Sequence, residues 1–219
     1  MTLPEPNDIL DAALGRCPGA APDIEKAIRD GTAFLAAFAG AERAVRGRDL
    51  RLTAEEAETL RQVGLGAAEM LAPGELLRLR LLLARIAILP AGEHPALVSE
   101  LLRRGDDVEK QAVLKALPLL PGPERFRDVA LLALRSAVAG TVAAIACDND
   151  YPLRYFPPDS FRAMVLKALH LGIPLRRIRG LDARRDEELA RMGRAYASEQ
   201  RAALRPVSPD VALLTGEAP

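Results

Sequence analysis

The sequence predicts an all-α protein, arranged as an irregular HEAT-like helical repeat or α-solenoid, with an irregular helical bundle as the alternative. Three observations lead there. Helix-start signals recur along the chain, no stretch alternates apolar and polar residues over a strand length, and β-branched residues are few. The composition agrees. Of 219 residues 49% are hydrophobic but only 4% aromatic, with no Trp, so the core must be built from Leu, Ala, Val and Ile. Helices packed through small residues suit that set.

Thr53 followed by Glu56 has the capping-box pattern before Ala57, Leu60 and Val63. Pro73 can open the next helix, because proline in a first turn gives up an N–H that lacks a partner anyway. Leu76, Leu77, Leu79, Leu81, Leu82, Leu83, Ile86 and Leu89 then go round most of the helix, which predicts burial on more than one side. Asp106 or Asp107 caps a helix through Leu117, and Pro123 opens another that reaches the Ala-rich run ending at Cys147. Val129 to Cys147 is apolar except for Arg135, Ser136 and Thr141. A membrane span needs ~20 mostly apolar residues. The internal Arg135 and the weak transfer energy of Ala and Gly favour a buried core helix instead.

Asp159 or Ser160 caps a helix through Leu171, with Phe161, Met164, Val165, Ala168 and Leu169 on one face and Lys167 and His170 opposite. A last long helix runs from about Arg185 to Leu204 on an apolar face of Leu189, Met192, Gly193, Tyr196 and Ala197. Glu187 and Arg191 can pair on its wet face. The Pro-rich start and the tail from Val207 to Pro219 are expected to be loosely ordered at their ends. No long linker divides residues 1–219, so a single helical domain is expected. Ala112–Leu117 resembles Ala163–Leu169, and Leu89–Glu93 resembles Leu120–Glu124; such weak internal similarity motivates the repeat reading.

Lys plus Arg and Asp plus Glu balance at 30 each, so no global field steers the chain to nucleic acid or to an acidic membrane. Cys17 and Cys147 form no CxxC pair and no disulfide framework, which fits a reducing compartment. Met1 to Asp11 carries Glu5, Asp8 and Asp11 without a basic region, unlike a signal peptide.

Chemistry is sparse. His94 and His170 are the only histidines, and no zinc spacing, GxSxG or phosphate loop is present, so no metal and no cofactor is expected. Gly64-Leu65-Gly66 reads as a helix break. Asp148-Asn149-Asp150 reads as a turn and cap, with a hard-cation site as the alternative. Residues 149–158 gather three aromatics and three prolines, which argues against helix interior. They form a plug at the end of the core or the wall of an apolar groove. Arg176, Arg177, Arg179, Arg184, Arg185, Arg191 and Arg194 form either an anion clamp or a solvated face neutralised by Asp182, Asp186, Glu187 and Glu188.

From residue 149 onward a distinctive run stands in order with short gaps: Asn149, Pro152, Tyr155-Phe156-Pro157, Met164–Leu169, Gly180-Leu181-Asp182 with Arg184, Glu188–Met192, Tyr196-Ala197, Glu199, Ala202-Ala203 and Arg205. On these residues the sequence resembles the EboA family. Phe161 stands where the family tends to have Trp, and Ser198, Gln200 and Arg201 replace a His-x-Arg-Trp stretch. The first 148 residues match only in being helical. The resemblance implies a component of a bacterial gene cluster that moves a secondary-metabolite precursor across the cytoplasmic membrane. It also implies partners among the other cluster proteins, including a UbiA-type prenyltransferase, and an apolar or prenylated metabolite. The expected place is the cytoplasm or the periphery of the inner membrane.

Two functions compete. One is a non-catalytic binding or scaffold component, with Asn149, Tyr155, Phe156, Lys167, Asp182, Arg184, Tyr196 and Glu199 as ligand- or partner-binding candidates. The other is a small-molecule-modifying enzyme with a polar site around Asp182, Arg184 and Lys167. Lys167 is expected to pair with an acid such as Asp182 or to face a ligand. Phe156 is expected to be the plug, with Tyr155 partly exposed.

Overall fold

Helix signals written locally in the chain become helices in the computed structural model, which describes residues 4–17 and 23–216. Among these residues there are fourteen α-helices and no strand: α1 (Pro6–Gly15), α2 (Ile24–Ile28), α3 (Gly31–Ala44), α4 (Ala54–Gln62), α5 (Pro73–Ile88), α6 (His94–Arg104), α7 (Asp107–Ala116), α8 (Arg127–Ala133), α9 (Ala139–Ala146), α10 (Tyr151–Tyr155), α11 (Pro158–His170), α12 (Leu181–Arg184), α13 (Glu187–Ala202) and α14 (Val211–Thr215). The capping boxes form as the sequence requires. The Thr53 hydroxyl accepts from Glu56 N at 3.2 Å while the Glu56 carboxylate accepts from Thr53 N at 2.8 Å. Asp106 and Glu109 repeat the exchange at 2.8 and 3.1 Å. Asp186 opens α13 by accepting from Leu189 N. That hydrogen bond adds to the stronger one from the Arg162 guanidinium, and together they hold the Asp186 carboxyl at about 2.

Helix α5 is the most enclosed element. Leu76, Leu77, Leu79, Leu81, Leu82 and Ile86 are each at most 1% exposed. One side packs on α1, α2 and α3 and another on α7. Gly74 permits the close approach to α3, because a Cβ there would overlap the Glu42 side chain and lie 3.2 Å from Glu42 Cα. Arg78, also buried in α5, donates from Nε to the Phe38 carbonyl of α3 at 3.2 Å. From α5 onward the contacts run in sequence. Helix α7 packs on α6 and α9, α9 on α11, α11 on α13, and α13 on α14. Helix lengths along this stack follow no fixed period.

Several local expectations are corrected by tertiary contacts. Val129–Cys147 is two helices, α8 and α9, broken at residues 134–138, where the Ser136 hydroxyl accepts from Val138 N. Pro123 opens a 3-10 turn (Pro123–Phe126) ahead of α8. Among the described residues, no helix is long and apolar enough to cross a membrane. The Pro-rich start forms α1, with Ile9, Leu10, Ala13 and Leu14 buried against α5. The tail forms α14, where fully buried Leu214 sits so close to Gly193 that a Cβ on the glycine would lie 3.1 Å from it. The ends where loose order is expected, residues 1–3 and 217–219, lie outside the described residues. Residues 149–158 include the one-turn helix α10, because Pro152 falls in its first turn. Helix α11 starts at Pro158, so neither Asp159 nor Ser160 caps it. Arg191 pairs with Glu188 and Arg194 with Glu187, rather than Glu187 with Arg191.

Burial on α5 separates two apolar positions. Leu79→Ala should cost ~2–5 kcal/mol in urea denaturation. Ile88→Ala, at a side chain 54% exposed on the same helix, should stay within ~0.5 kcal/mol of the parent.

Candidate functional site

The residues after Cys147 act first as a staple. Asn149 is 1% exposed. Its Nδ2 donates to the carbonyls of Leu114 at 3.1 Å and Ala144 at 3.3 Å, and its Oδ1 accepts from Tyr151 N at 2.9 Å. One amide thereby joins α7, α9 and α10. The buried Tyr151 hydroxyl donates to the Pro123 carbonyl at 2.7 Å, and burial pushes that phenol's pKa up. Phe156 is buried edge-on to Tyr151, and half-buried Tyr155 packs on the same ring at 4.9 Å. The main contacts of α10 are with α9 and the Pro123–Phe126 turn, not with the final helix near Tyr196.

Arg184 is committed to this staple. Its Nη1 faces the carbonyls of Pro152, Leu153 and Phe156 at 3.0, 3.3 and 2.8 Å. Its guanidinium carbon lies 4.6 Å from the centre of the Phe161 ring. Burial, with nearby Arg162, lowers its pKa. Asp182 and Glu199 are exposed and Lys167 is half-buried. Among the described residues no hydrogen bond or ion pair joins Lys167 to Asp182, or either of them to Arg184, so the three do not meet as a polar site. Tyr196 is buried with its ring edge-on to His170 at 4.7 Å. Most of the arginine stretch is paired. Arg177 binds Asp148, Arg179 and Arg154 bind Asp150, and Arg162 on α11 binds Asp159 and Asp186.

Two features that look unrelated in sequence meet in space. Leu65 and Asn149 form an isolated antiparallel bridge, and Asp150 N donates to the Gly64 carbonyl at 2.9 Å. A Cβ on Gly66 would lie 3.0 Å from the Asp148 carbonyl oxygen, tighter than an ordinary contact, so glycine eases this approach. Ala67 and Asp148 both adopt left-handed backbone, at φ 51° and 50°. Such conformations cost on the order of 1–3 kcal/mol each and concentrate at functional sites. Both residues wall a cavity of about 180 Å³, closed by Gln111 and Lys115 of α7, by α9, and by Cys147 and Arg177.

The cavity can hold a small polar molecule by hydrogen bonds from Gln111, Lys115 and Arg177. Its cations are already engaged, Lys115 with buried Glu75 and Arg177 with Asp148. Burial pushes the Cys147 thiol up to about 11, so it is held as the neutral thiol at neutral pH. Gln111, Lys115, Ala67 and Cys147 were not singled out from sequence. The one available signal was the likeness of Ala112–Leu117 to Ala163–Leu169, which aligns Lys115 with Lys167. Among the described residues no cluster of three potential metal ligands occurs.

Two measurements check this assignment. Phe156→Ala should lower stability by ~3–5 kcal/mol in chemical denaturation. Iodoacetamide at pH 8 should label Cys147 at least about a hundredfold more slowly in the native protein than in the urea-unfolded chain, with the native rate rising until pH about 11. A thiol that reacts equally fast in both states would contradict a protonated, buried Cys147.

No curated protein and no solved structure matches the chain. The family described as metabolite traffic protein EboA matches residues 21–215. That span takes in every helix from α2 to α14, so the family match reaches well before residue 149 and corrects the expectation that the earlier region resembles the family only in being helical. The chain belongs to the EboA family.

Proposed function

We propose that this protein is a non-catalytic binding or scaffold component of a system that traffics a secondary-metabolite precursor across the cytoplasmic membrane. Its family is described by metabolite traffic, which is the coarse role. The observation that carries the finer reading is the commitment of Arg184 to three backbone carbonyls and the Phe161 ring. That geometry uses up the one arginine an enzyme site around Asp182 and Lys167 would need, and it supports scaffold over catalyst.

The same region offers a docking strip. Lys167 and His170 are neighbours on α11, and Tyr196 and Glu199 are neighbours on α13, each pair three residues apart. The His170–Tyr196 contact joins the two pairs into one surface. Among the described residues, neither the Lys167 ammonium nor the Glu199 carboxylate forms an ion pair. A half-buried cation and an exposed anion beside the His170–Tyr196 contact suit a polar protein partner. The partners that fit are the other proteins of the gene cluster, among them the membrane-embedded UbiA-type prenyltransferase. The protein would then work at the inner face of the membrane, beside an apolar or prenylated metabolite.

Lys167→Ala with Glu199→Ala should leave urea stability within ~0.5 kcal/mol of the parent. Co-purification with the cluster proteins, read by native mass spectrometry, should fall roughly tenfold or more. Unchanged assembly and unchanged metabolite export in the double variant would overturn the docking reading.

A further inference from the structure

A second cleft lies away from the staple, where α6, α7, α8 and α9 meet. Its volume is about 270 Å³, just below the roughly 300–1,000 Å³ typical of small-molecule pockets. The floor is apolar, made by Leu102, Val129, Leu132 and Ala133. Arg103 and Lys110 stand on its wall, and no acidic residue lines it. Neither cation forms an ion pair among the described residues, although most other arginines in helices α11–α13 are paired. Leu132 is 55% exposed and belongs to the lining.

Thr141 supplies an independent observation. It is 3% exposed and lines the cleft, yet its Oγ1 has no hydrogen-bond partner in the protein. Buried hydroxyls are normally satisfied. A threonine in a helix commonly returns its proton to the carbonyl one turn back, and this one does not. Ser136, also on the wall, accepts from Val138 N through its oxygen and keeps its own proton to donate. The cleft therefore combines an apolar floor, two cations and two hydroxyl donors without a competing carboxylate.

We propose that this cleft is a binding site for a small amphipathic anion, a single short hydrocarbon chain ending in a phosphate or carboxylate. The chain covers Leu102, Val129, Leu132 and Ala133. The head group takes Arg103 and Lys110, and one of its oxygens accepts from the Thr141 hydroxyl. Guanidinium and ammonium donors favour an oxyanion, and the small volume fits one chain of a free amphiphile rather than a bilayer surface. The inference goes beyond the scaffold reading, because the cleft lies outside the 149–205 region and needs no protein partner.

The test is isothermal titration of the full chain with octyl phosphate below its micelle concentration. Octan-1-ol supplies the chain without the charge, and inorganic phosphate the charge without the chain. Octyl phosphate should bind at one site, with both controls at least about tenfold weaker. Arg103→Gln with Lys110→Gln should weaken octyl phosphate at least about tenfold. Thr141→Val should weaken it roughly threefold while the ligand-free melting temperature holds or rises, because an unsatisfied buried hydroxyl has been removed. A Thr141 with a purely structural role would instead lose melting temperature and keep its affinity. Equal binding of octanol or phosphate, or an unchanged double variant, would overturn the proposal. So would association only with phosphatidylglycerol vesicles and none with monomeric octyl phosphate, which would assign the cleft to a lipid surface. Loss of octyl phosphate binding with cluster co-purification intact would remove this site and leave the scaffold reading standing.

Discussion

The buried amide of Asn149 is the constraint on which the second half of the molecule depends. It reaches carbonyls on α7 and α9 and the first N–H of α10, so three helices must stand in one register for its polar atoms to be satisfied. Leaving one such partner unmade costs ~1–3 kcal/mol, which makes any shifted packing expensive. The backbone of Asn149 meanwhile bridges Leu65, bringing a loop from the first half of the chain against the turn that leads into α10. Asp148 and Asp150, on either side of Asn149, then sit where Arg177 and Arg179 can neutralise them. The staple, the cavity and the paired arginines follow from this one side chain.

What was legible in the sequence was what local chemistry decides. The capping box at Thr53, the cap at Asp106 or Asp107 and the all-round leucines of α5 involve residues within a few turns of one another, and each formed, with Asp106 as the cap. What was not legible depended on distant contacts. Helix α14 exists because Leu214 finds the notch at Gly193, and α1 because Leu10 and Leu14 find α5. The Ala-rich stretch looked continuous because Ala and Leu favour helix throughout, yet tertiary packing breaks it at residues 134–138. The same divide holds at the site. Asn149 and Arg184 stood out from sequence, and the structure gives both of them backbone partners. Gly64–Gly66 and Asp148–Asp150 stood out separately, and nothing in either segment announces the other.

This distribution of roles bears on what family membership means here. Several residues that carry the resemblance to EboA, among them Asn149, Pro152, Phe156 and Arg184, are those that build the staple. They mark an architecture. The chemistry open to a ligand lies elsewhere: in the cavity walled by Ala67 and Asp148, and in the α6–α9 cleft. A protein whose recognisable residues are spent on shape, and whose polar surface remains available, is suited to hold things together.

The serial packing of α5, α7, α9, α11, α13 and α14 has a consequence for motion. When each element rests mainly on the next, an end can open locally without the middle. Helix α14, seated on α13 alone among the main contacts, is the last link and opens at the least cost. Amide exchange would therefore grade from fast at α14 to slow at α5, which neighbours enclose on several sides. A partner that clasped the α11–α13 surface would slow exchange at that outer end first. The proposed docking strip thus lies on the part of the molecule whose order a partner can change most.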